Sequence, residues 1–309
     1  MMGINKFISK NKLGLVFKDK RFSELTTMKV GGKIKLLYYP STQENLIRVL
    51  EYLHKKRKKY FILGNGSNLI ASDRTYYNLV INGKHLVKGI DFKEDYFIVS
   101  AFMDLRIVIA KLVEKQISTL TNLAGIPATV GGALVMNAGA FKMNISDNLL
   151  WVKYLENGKY MKKDIDEIRF SYRNSEFKKE NIVILEAAFS IVKDVETMFI
   201  YRNILEKRRE RHPLNYPNSG SIFRNCENFP AFELIKKINL DNYRIGGAKF
   251  SEKHANFIVN IDKAKAKDIY NLIILAKKRA LIFENINLNE EVILLNFPSY
   301  KIVSKYLKK

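Results

Sequence analysis

Apolar residues recur along the chain with two periods, near 3.6 and near 2, and the switches between them predict its elements. Leu46, Ile47, Leu50 and Leu53 follow one another at helical spacing, and Ser41-Thr42-Gln43-Glu44 before them has the form of a capping box. "YFILG" reads as a short buried strand that runs into the glycine loop "GNGSN", Gly64 to Asn68. "YFIVSAFM" (Tyr96 to Met103) predicts a strand, and "DLRIVIAKLVEKQ" an amphipathic helix capped by Asp104. After a second glycine-rich stretch (Leu123 to Phe141), "LWVKYLENGKYMKK" predicts a hairpin on its Asn157-Gly158 turn. "IVILEAAFSIV" (Ile182 to Val192) is a further strand.

From Asp194 a long helix carries arginines as far as His212-Pro213, where proline helps end it. Ala231 to Ile238 reads as helix, "NFIVNI" (Asn256 to Ile261) as strand, Lys263 to Glu284 as helix and "EVILLNF" (Glu291 to Phe297) as a last strand. No internal repeat or low-complexity linker interrupts the series. Strands and helices are mixed throughout, so the class is α+β or α/β, with the most natural cut near residue 195.

Composition narrows the picture. A chain of 309 residues, 47% hydrophobic and 27% charged, has apolar material for more than one core. The single cysteine, Cys226, excludes an intrachain disulfide and fits a reducing compartment. The N-terminus lacks the apolar stretch of a signal peptide, and no apolar run approaches the length of a membrane span, which predicts a cytoplasmic protein. Net charge is +22, from 53 Lys+Arg against 31 Asp+Glu. That raises a nucleic acid or an anionic substrate as partner. The basic residues are scattered, however, with short clusters at "KKRKK" and "EKRRERH", and no aromatic RNA signature or paired Cys/His finger accompanies them. No metal site is expected, because His212 and His254 lack ligand spacing.

Glycines let backbone N–H groups approach an anion closely. "GNGSNL" offers Gly64 and Gly66, with Ser67 and Asn68 as hydrogen-bonding side chains. It is no Walker loop, and Leu69 stands where a dinucleotide fingerprint needs its third glycine. "GIPATVGGALVMNAGAF" adds Gly125, Gly131, Gly132 and Gly139, with Pro127 stiffening its start. Two such loops suggest a long ligand with a diphosphate; two tight turns packed on a core would also explain the glycines alone.

Taken together and in order, "LTTMKVGG", "ILGNGSNLIASD", "AGIPATVGGALVMNAGAF", "FSYRNS", "PNSGSIFRN", "IGGAKFSEKHANFIVN" and "LNEEV" resemble the UDP-N-acetylenolpyruvoylglucosamine reductase (MurB) family. The resemblance runs from about Phe22 to Phe297, and its Tyr-Arg-x-Ser motif is that of the shorter type. It implies an α+β protein: a two-lobed FAD-binding domain of the vanillyl-alcohol-oxidase type over residues 1–195, then a C-terminal α+β substrate domain over 196–309. It implies noncovalent FAD, NADPH as hydride donor, and reduction of UDP-N-acetylglucosamine enolpyruvate to UDP-N-acetylmuramate for peptidoglycan, by a monomer.

The resemblance places FAD on Gly64, Asn65, Gly66, Ser67, Asn68, Gly125, Ile126, Pro127, Thr129, Gly131, Gly132, Asn137 and Gly139. Arg173, Ser221 and Glu291 fall on its catalytic positions. Hydride added to an enolpyruvyl ether leaves negative charge beside a carboxylate, which Arg173 can grip with two parallel hydrogen bonds. Ser221 would protonate the carbon, and Glu291 would donate a hydrogen bond if kept protonated, or orient Arg173. Glu290 faces the other way if the segment is extended. Arg209, Arg211, Arg224 and Asn225 are candidates for the UDP diphosphate, with Arg208 adding charge.

Departures from the family pattern are Ala128 for glycine, Thr119 and Thr121, Arg224 and Cys226 after "SIF", and Asn289-Glu290 in "LNEEV". A flavin oxidase of the same fold and a basic nucleic-acid binder with a degenerate flavin site remain the alternatives.

Overall fold

The computed structural model describes residues 2–87, 89–226 and 229–298. The fold is α+β, and the chain forms two compact units, each assembled from separated segments. The first comprises the described parts of Met1–Asp19, Ile34–Asn65 and Tyr77–Arg208, the second those of Lys20–Lys33, Gly66–Tyr76 and Arg209–Lys309.

Two sheets organise the first unit. In one, Gly14–Phe17 runs antiparallel to Lys33–Pro40, and Tyr60–Ile62 parallel to Tyr76–Ile81. The helix Gln43–Lys55 packs here through Leu46, Val49, Leu50 and Leu53. Its cap is Thr42, whose Oγ1 accepts from Asn45 N at 3.2 Å. Ser41, expected to cap, instead donates its hydroxyl to Leu13 O at 3.3 Å, so the helix starts one residue later than the capping-box spacing predicts. Tyr60–Ile62 is only partly buried, against the expectation of a buried strand, because it is short and lies at the end of the sheet order.

The other sheet is antiparallel, ordered Lys159–Asp164, Leu149–Glu156, Ile182–Ser190, Tyr96–Ser100, Ile90–Phe92. Ile182–Ser190 lies inside it and reads as a nearly continuous apolar run. At one edge stands the lysine-rich Lys159–Asp164, largely exposed, which discourages pairing with another chain. Asn157 and Gly158 both have positive φ, as a two-residue hairpin turn of this hand requires. The helix Leu105–Val113 buries Leu105, Val108, Ile109, Leu112 and Val113, the i, i+3, i+4, i+7 stripe read from the sequence.

The second unit holds an antiparallel sheet ordered Asn218–Ser221, Phe257–Asn260, Ala248–Phe250, Arg244–Ile245. The helix Ala266–Glu284 packs in the same core through Ile269, Leu272, Ile273, Ala276 and Ala280. Its first N–H groups, Ala266 and Lys267, donate to the two carboxylate oxygens of Asp73 at 3.1 Å each. Ile293–Leu295 runs parallel to Leu69–Ala71, fastening the segment after the first glycine loop to the last strand.

Candidate active site

In the first unit Arg173 lies on a tight turn between the paired strands Phe170–Ser171 and Asn174–Ser175, with φ of 53°. A left-handed arginine costs about 1–3 kcal/mol and persists only where its surroundings impose it. Here Asn137 Nδ2 donates to Ser171 O at 3.1 Å, Ser175 Oγ to Val135 O at 2.8 Å and Lys178 Nζ to Arg173 O at 3.0 Å. The guanidinium reaches the second glycine stretch, Nη2 donating to Gly139 O at 2.7 Å. A Cβ on Gly139 would lie 2.7 Å from Arg173 Nη1, so a side chain there would push the guanidinium aside. Asn137 sits behind this turn, its Oδ1 accepting from Ser146 Oγ at 2.9 Å.

The two glycine stretches meet in the same unit. A Cβ on Gly64 would fall 2.7 Å from Thr129 Oγ1. Asn65 Nδ2 donates to Asp104 Oδ2 at 2.8 Å and to Pro127 O at 3.3 Å. Thr129 Oγ1 accepts from Gly132 N at 3.2 Å and caps the helix Val130–Val135. Gly131 N–H donates to Ala101 O at 2.7 Å, and Ile126 packs on the core. Ala128 is not among the residues with positive φ, and its carbonyl accepts from Leu105 N at 2.9 Å. Alanine therefore fits there without backbone strain. Thr119 ties its loop to the sheet, donating to Ser190 O at 2.8 Å and accepting from Val192 N at 3.0 Å.

Asp104 is a residue that sequence reading took for a helix cap alone. Its Oδ1 accepts from Arg106 N at 2.9 Å while Oδ2 holds Asn65. Burial pushes its carboxyl upward, but hydrogen bonds and charge from Arg106, with Asn65, outweigh that and hold it below the ordinary value. Asp104→Ala should lose about 1 kcal/mol of stability from the cap alone and loosen the first glycine loop. Because the folded pKa is depressed, this contribution is complete above pH about 4, the unfolded value, and fades as pH falls through the folded one. Urea unfolding of wild type and variant across pH 2–7 should show the difference shrinking on the acid side (a range set about the ordinary carboxylate value).

In the second unit Gly66 has φ of 62°, and a Cβ there would strike Leu25 O at 2.6 Å. Its carbonyl accepts from Thr27 N at 3.3 Å, and Thr27 Oγ1 donates to Asn218 O at 2.7 Å. Ser67 is partly buried beside it. Asn68 Nδ2 donates to Glu291 O at 3.1 Å, and Glu291 N donates to Ile222 O at 2.8 Å. The first glycine loop, Glu291 and the residue after Ser221 are thus joined in one chain of hydrogen bonds.

Ser221 ends the strand Asn218–Ser221 just after a register shift against Phe257–Asn260. Gly220 has φ of 76°, and Asn218 Oδ1 accepts its N–H at 3.0 Å. A shift of this kind re-aims the side chain that follows it. Ile222 and Phe223 are buried in the core and fix the loop from the other side. Glu290, the neighbour of Glu291, is turned to Lys277 at 2.7 Å.

The diphosphate candidates are also in the second unit. Arg209 and Arg211 are exposed, and Lys253 Nζ donates to Arg209 O at 2.6 Å. Arg224 N donates to Asn289 O at 3.0 Å, while its Nε is buried without a partner. Asn225 Oδ1 accepts from Ala231 N at 3.0 Å, at the start of the helix Ala231–Lys237. Burial raises the pKa of the nearby Cys226 thiol.

Two family models match the chain: an FAD binding domain over residues 34–162 and the UDP-N-acetylenolpyruvoylglucosamine reductase C-terminal domain over residues 212–295. UDP-N-acetylenolpyruvoylglucosamine reductase of Caldicellulosiruptor bescii is 38% identical over 84% of this chain and 84% of its own. That of Aquifex aeolicus is 38% identical over 91% of this chain and 95% of its own. The crystal structure of the enzyme from Thermus caldophilus superimposes with a TM-score of 0.77 at 27% identity, covering 91% of this chain and 98% of that one.

Proposed function

The chain belongs to the UDP-N-acetylenolpyruvoylglucosamine reductase family and is an FAD-dependent oxidoreductase acting on a UDP-sugar, and from that premise we propose that it reduces UDP-N-acetylglucosamine enolpyruvate to UDP-N-acetylmuramate with NADPH. The observation that carries this reading is the hydrogen-bonded series Asn68–Glu291–Ile222, which ties the cofactor loop to an acid and to the backbone next to Ser221. An oxidase would need a base at the reacting carbon; a serine hydroxyl and a protonated carboxyl group suit proton delivery.

The residues present fit FAD. Gly64, Gly66 and Gly125 leave no room for side chains where the loops close, and the buried Arg208 Nε lacks a partner. Bound there, FAD would supply a hydride carrier between NADPH and the enolpyruvyl double bond. Gly64, Asn65, Gly66, Ser67 and Asn68, with the stretch from Gly125 to Gly139, hold it noncovalently. Arg173 grips the substrate carboxylate, its fork suited to two parallel hydrogen bonds. Glu291 donates a hydrogen bond to the charge that develops there, and Ser221 delivers the proton to carbon. Arg209, Arg211, Arg224 and Asn225 face the diphosphate.

FAD binding is assigned to residues 1–195 and substrate binding to 196–309, in a cytoplasmic monomer of peptidoglycan synthesis. The net charge of +22 is read as compositional bias, with no specific nucleic-acid partner. Among the described residues no helix is long and apolar enough to cross a membrane.

The test is anaerobic. Protein reduced by NADPH should regain its oxidised flavin spectrum on addition of UDP-N-acetylglucosamine enolpyruvate, and acid precipitation should then release all the flavin. A spectrum that stays bleached with substrate but recovers with oxygen would favour the oxidase reading.

A further inference from the structure

The helix Val130–Val135 begins in the second glycine stretch and stops at Met136-Asn137. Asn137 has φ of 42°; its N–H donates to Leu134 O at 3.2 Å, and that of Ala138 to Ala133 O at 2.8 Å. This is a left-handed helix stop, a place where glycine is commonest and least strained. Asparagine therefore needs a reason that glycine would not satisfy. Its side chain supplies one, being 5% exposed with both polar atoms engaged. Nδ2 donates to Ser171 O at 3.1 Å, and Oδ1 accepts from Ser146 Oγ at 2.9 Å. A carbonyl only accepts, so the amide nitrogen must be the atom that meets Ser171, and the oxygen is left to the hydroxyl. A carboxylate could not make the first bond.

The bond to Ser171 matters because of where it falls. Ser171 pairs with Asn174 across the turn Tyr172-Arg173, in which Arg173 has φ of 53°. Two residues beyond Asn137, the Gly139 carbonyl accepts from Arg173 Nη2 at 2.7 Å. The short run from Asn137 to Gly139 thus holds Arg173 twice, at the base of its turn and at its guanidinium. Ser175 Oγ, which donates to Val135 O at 2.8 Å, ties down the other strand of the turn. Fixing the arginine at both ends of its side chain limits where its remaining N–H groups can point.

We propose that Asn137 is a positioning residue for Arg173: its amide takes no part in holding the flavin, and sets the turn from which the guanidinium meets the substrate carboxylate. The proposal rests on the reading of Arg173 above. If Arg173→Lys reduces the substrate at the native rate, that reading fails before any Asn137 variant is compared.

Asn137→Gly suits the left-handed backbone but removes the amide, and Asn137→Asp keeps the acceptor for Ser146 while losing the donor to Ser171. Both should bind FAD and be reduced by NADPH as the wild type is, yet reduce the enolpyruvyl substrate roughly 10–100-fold more slowly, the order expected of a small misplacement. Placed on Arg173→Lys, either change should add little, because residues that act through one another do not give multiplying effects. Asn11→Ala, which removes an amide bonded to Phe7 O at 2.8 Å in the same unit, should leave both half-reactions unchanged. Equal slowing there would make the effect one of general stability and overturn the proposal. Full activity in Asn137→Gly would also overturn it, leaving Asn137 a helix stop alone. So would weakened FAD binding with substrate reduction intact, which would make the amide a cofactor contact, or losses that multiply with those of Arg173→Lys. If neither Asn137 variant folds, Ser146→Ala decides: releasing Oδ1 should slow substrate reduction alone, and an unchanged rate rejects the proposal.

Discussion

Ser221→Ala should bind FAD and accept hydride from NADPH at close to the native rate, yet be reoxidised by the enolpyruvyl substrate roughly 10²–10⁴-fold more slowly, the usual span for losing a positioned acid. Flavin reduction by NADPH moves no proton to carbon, so it does not need the hydroxyl. Substrate reduction ends with a proton on a carbanion-like carbon, a base strong enough to take one from a hydroxyl held at the right place. The placing is built into the backbone: the register shift before Ser221, the positive φ of Gly220 and the Asn218 hydrogen bond set the direction of the side chain. Buried Ile222 and Phe223 prevent it from drifting. Ser221→Cys should recover part of the loss, because a thiol also donates. Stopped-flow absorbance of the flavin separates the two half-reactions. Equal slowing of both, or of neither, would make the serine structural.

What the sequence made legible was local. The helix after Asp104, the Asn157-Gly158 hairpin and the helix ending before Pro213 rest on periodicity, a cap or a turn pair within a few residues of each other. The glycine loops were visible for the same reason. What escaped depends on residues far apart in the chain. Asp73 caps a helix that begins at Ala266, a partnership across 193 positions. The second unit draws in Lys20–Lys33 and Gly66–Tyr76, and no shift in composition marks where the chain passes from one unit to the other.

The site shows the same division. Motif spacing pointed to Asn65 and Asn137, but not to their being held by Asp104 and Ser146. Arg208 looked like one of several arginines on a basic helix. Only its burial against Gly125 and Phe141 separates it from Arg209 and Arg211. Thr42 taking the cap from Ser41 is a smaller case: both hydroxyls fit the spacing, and Leu13, some thirty positions away, offers Ser41 a competing acceptor (a separation of 28).

Arg173→Lys should leave flavin reduction by NADPH within about twofold of wild type but slow substrate reduction by roughly 10²–10³-fold, the range seen when one fixed donor to a developing negative charge is removed. Lysine keeps the charge but not the planar fork, and it is a point donor where two parallel bonds are needed. It also cannot reproduce the side-chain contacts that hold Arg173, the Nη2 bond to Gly139 O and the close passage of Nη1 by that glycine. Part of the loss should therefore appear as weaker substrate binding, and single-turnover rates at saturating substrate separate the two. Glu291 supplies the comparison, because its backbone is fixed by Asn68 and Ile222 whatever its side chain. Glu291→Gln retains a donor and should cost less than Glu291→Ala, whereas equal losses would remove hydrogen-bond donation from its role. If Arg173→Lys instead slowed both half-reactions alike, the arginine would be supporting the flavin loop through Gly139, and the substrate carboxylate would be held elsewhere.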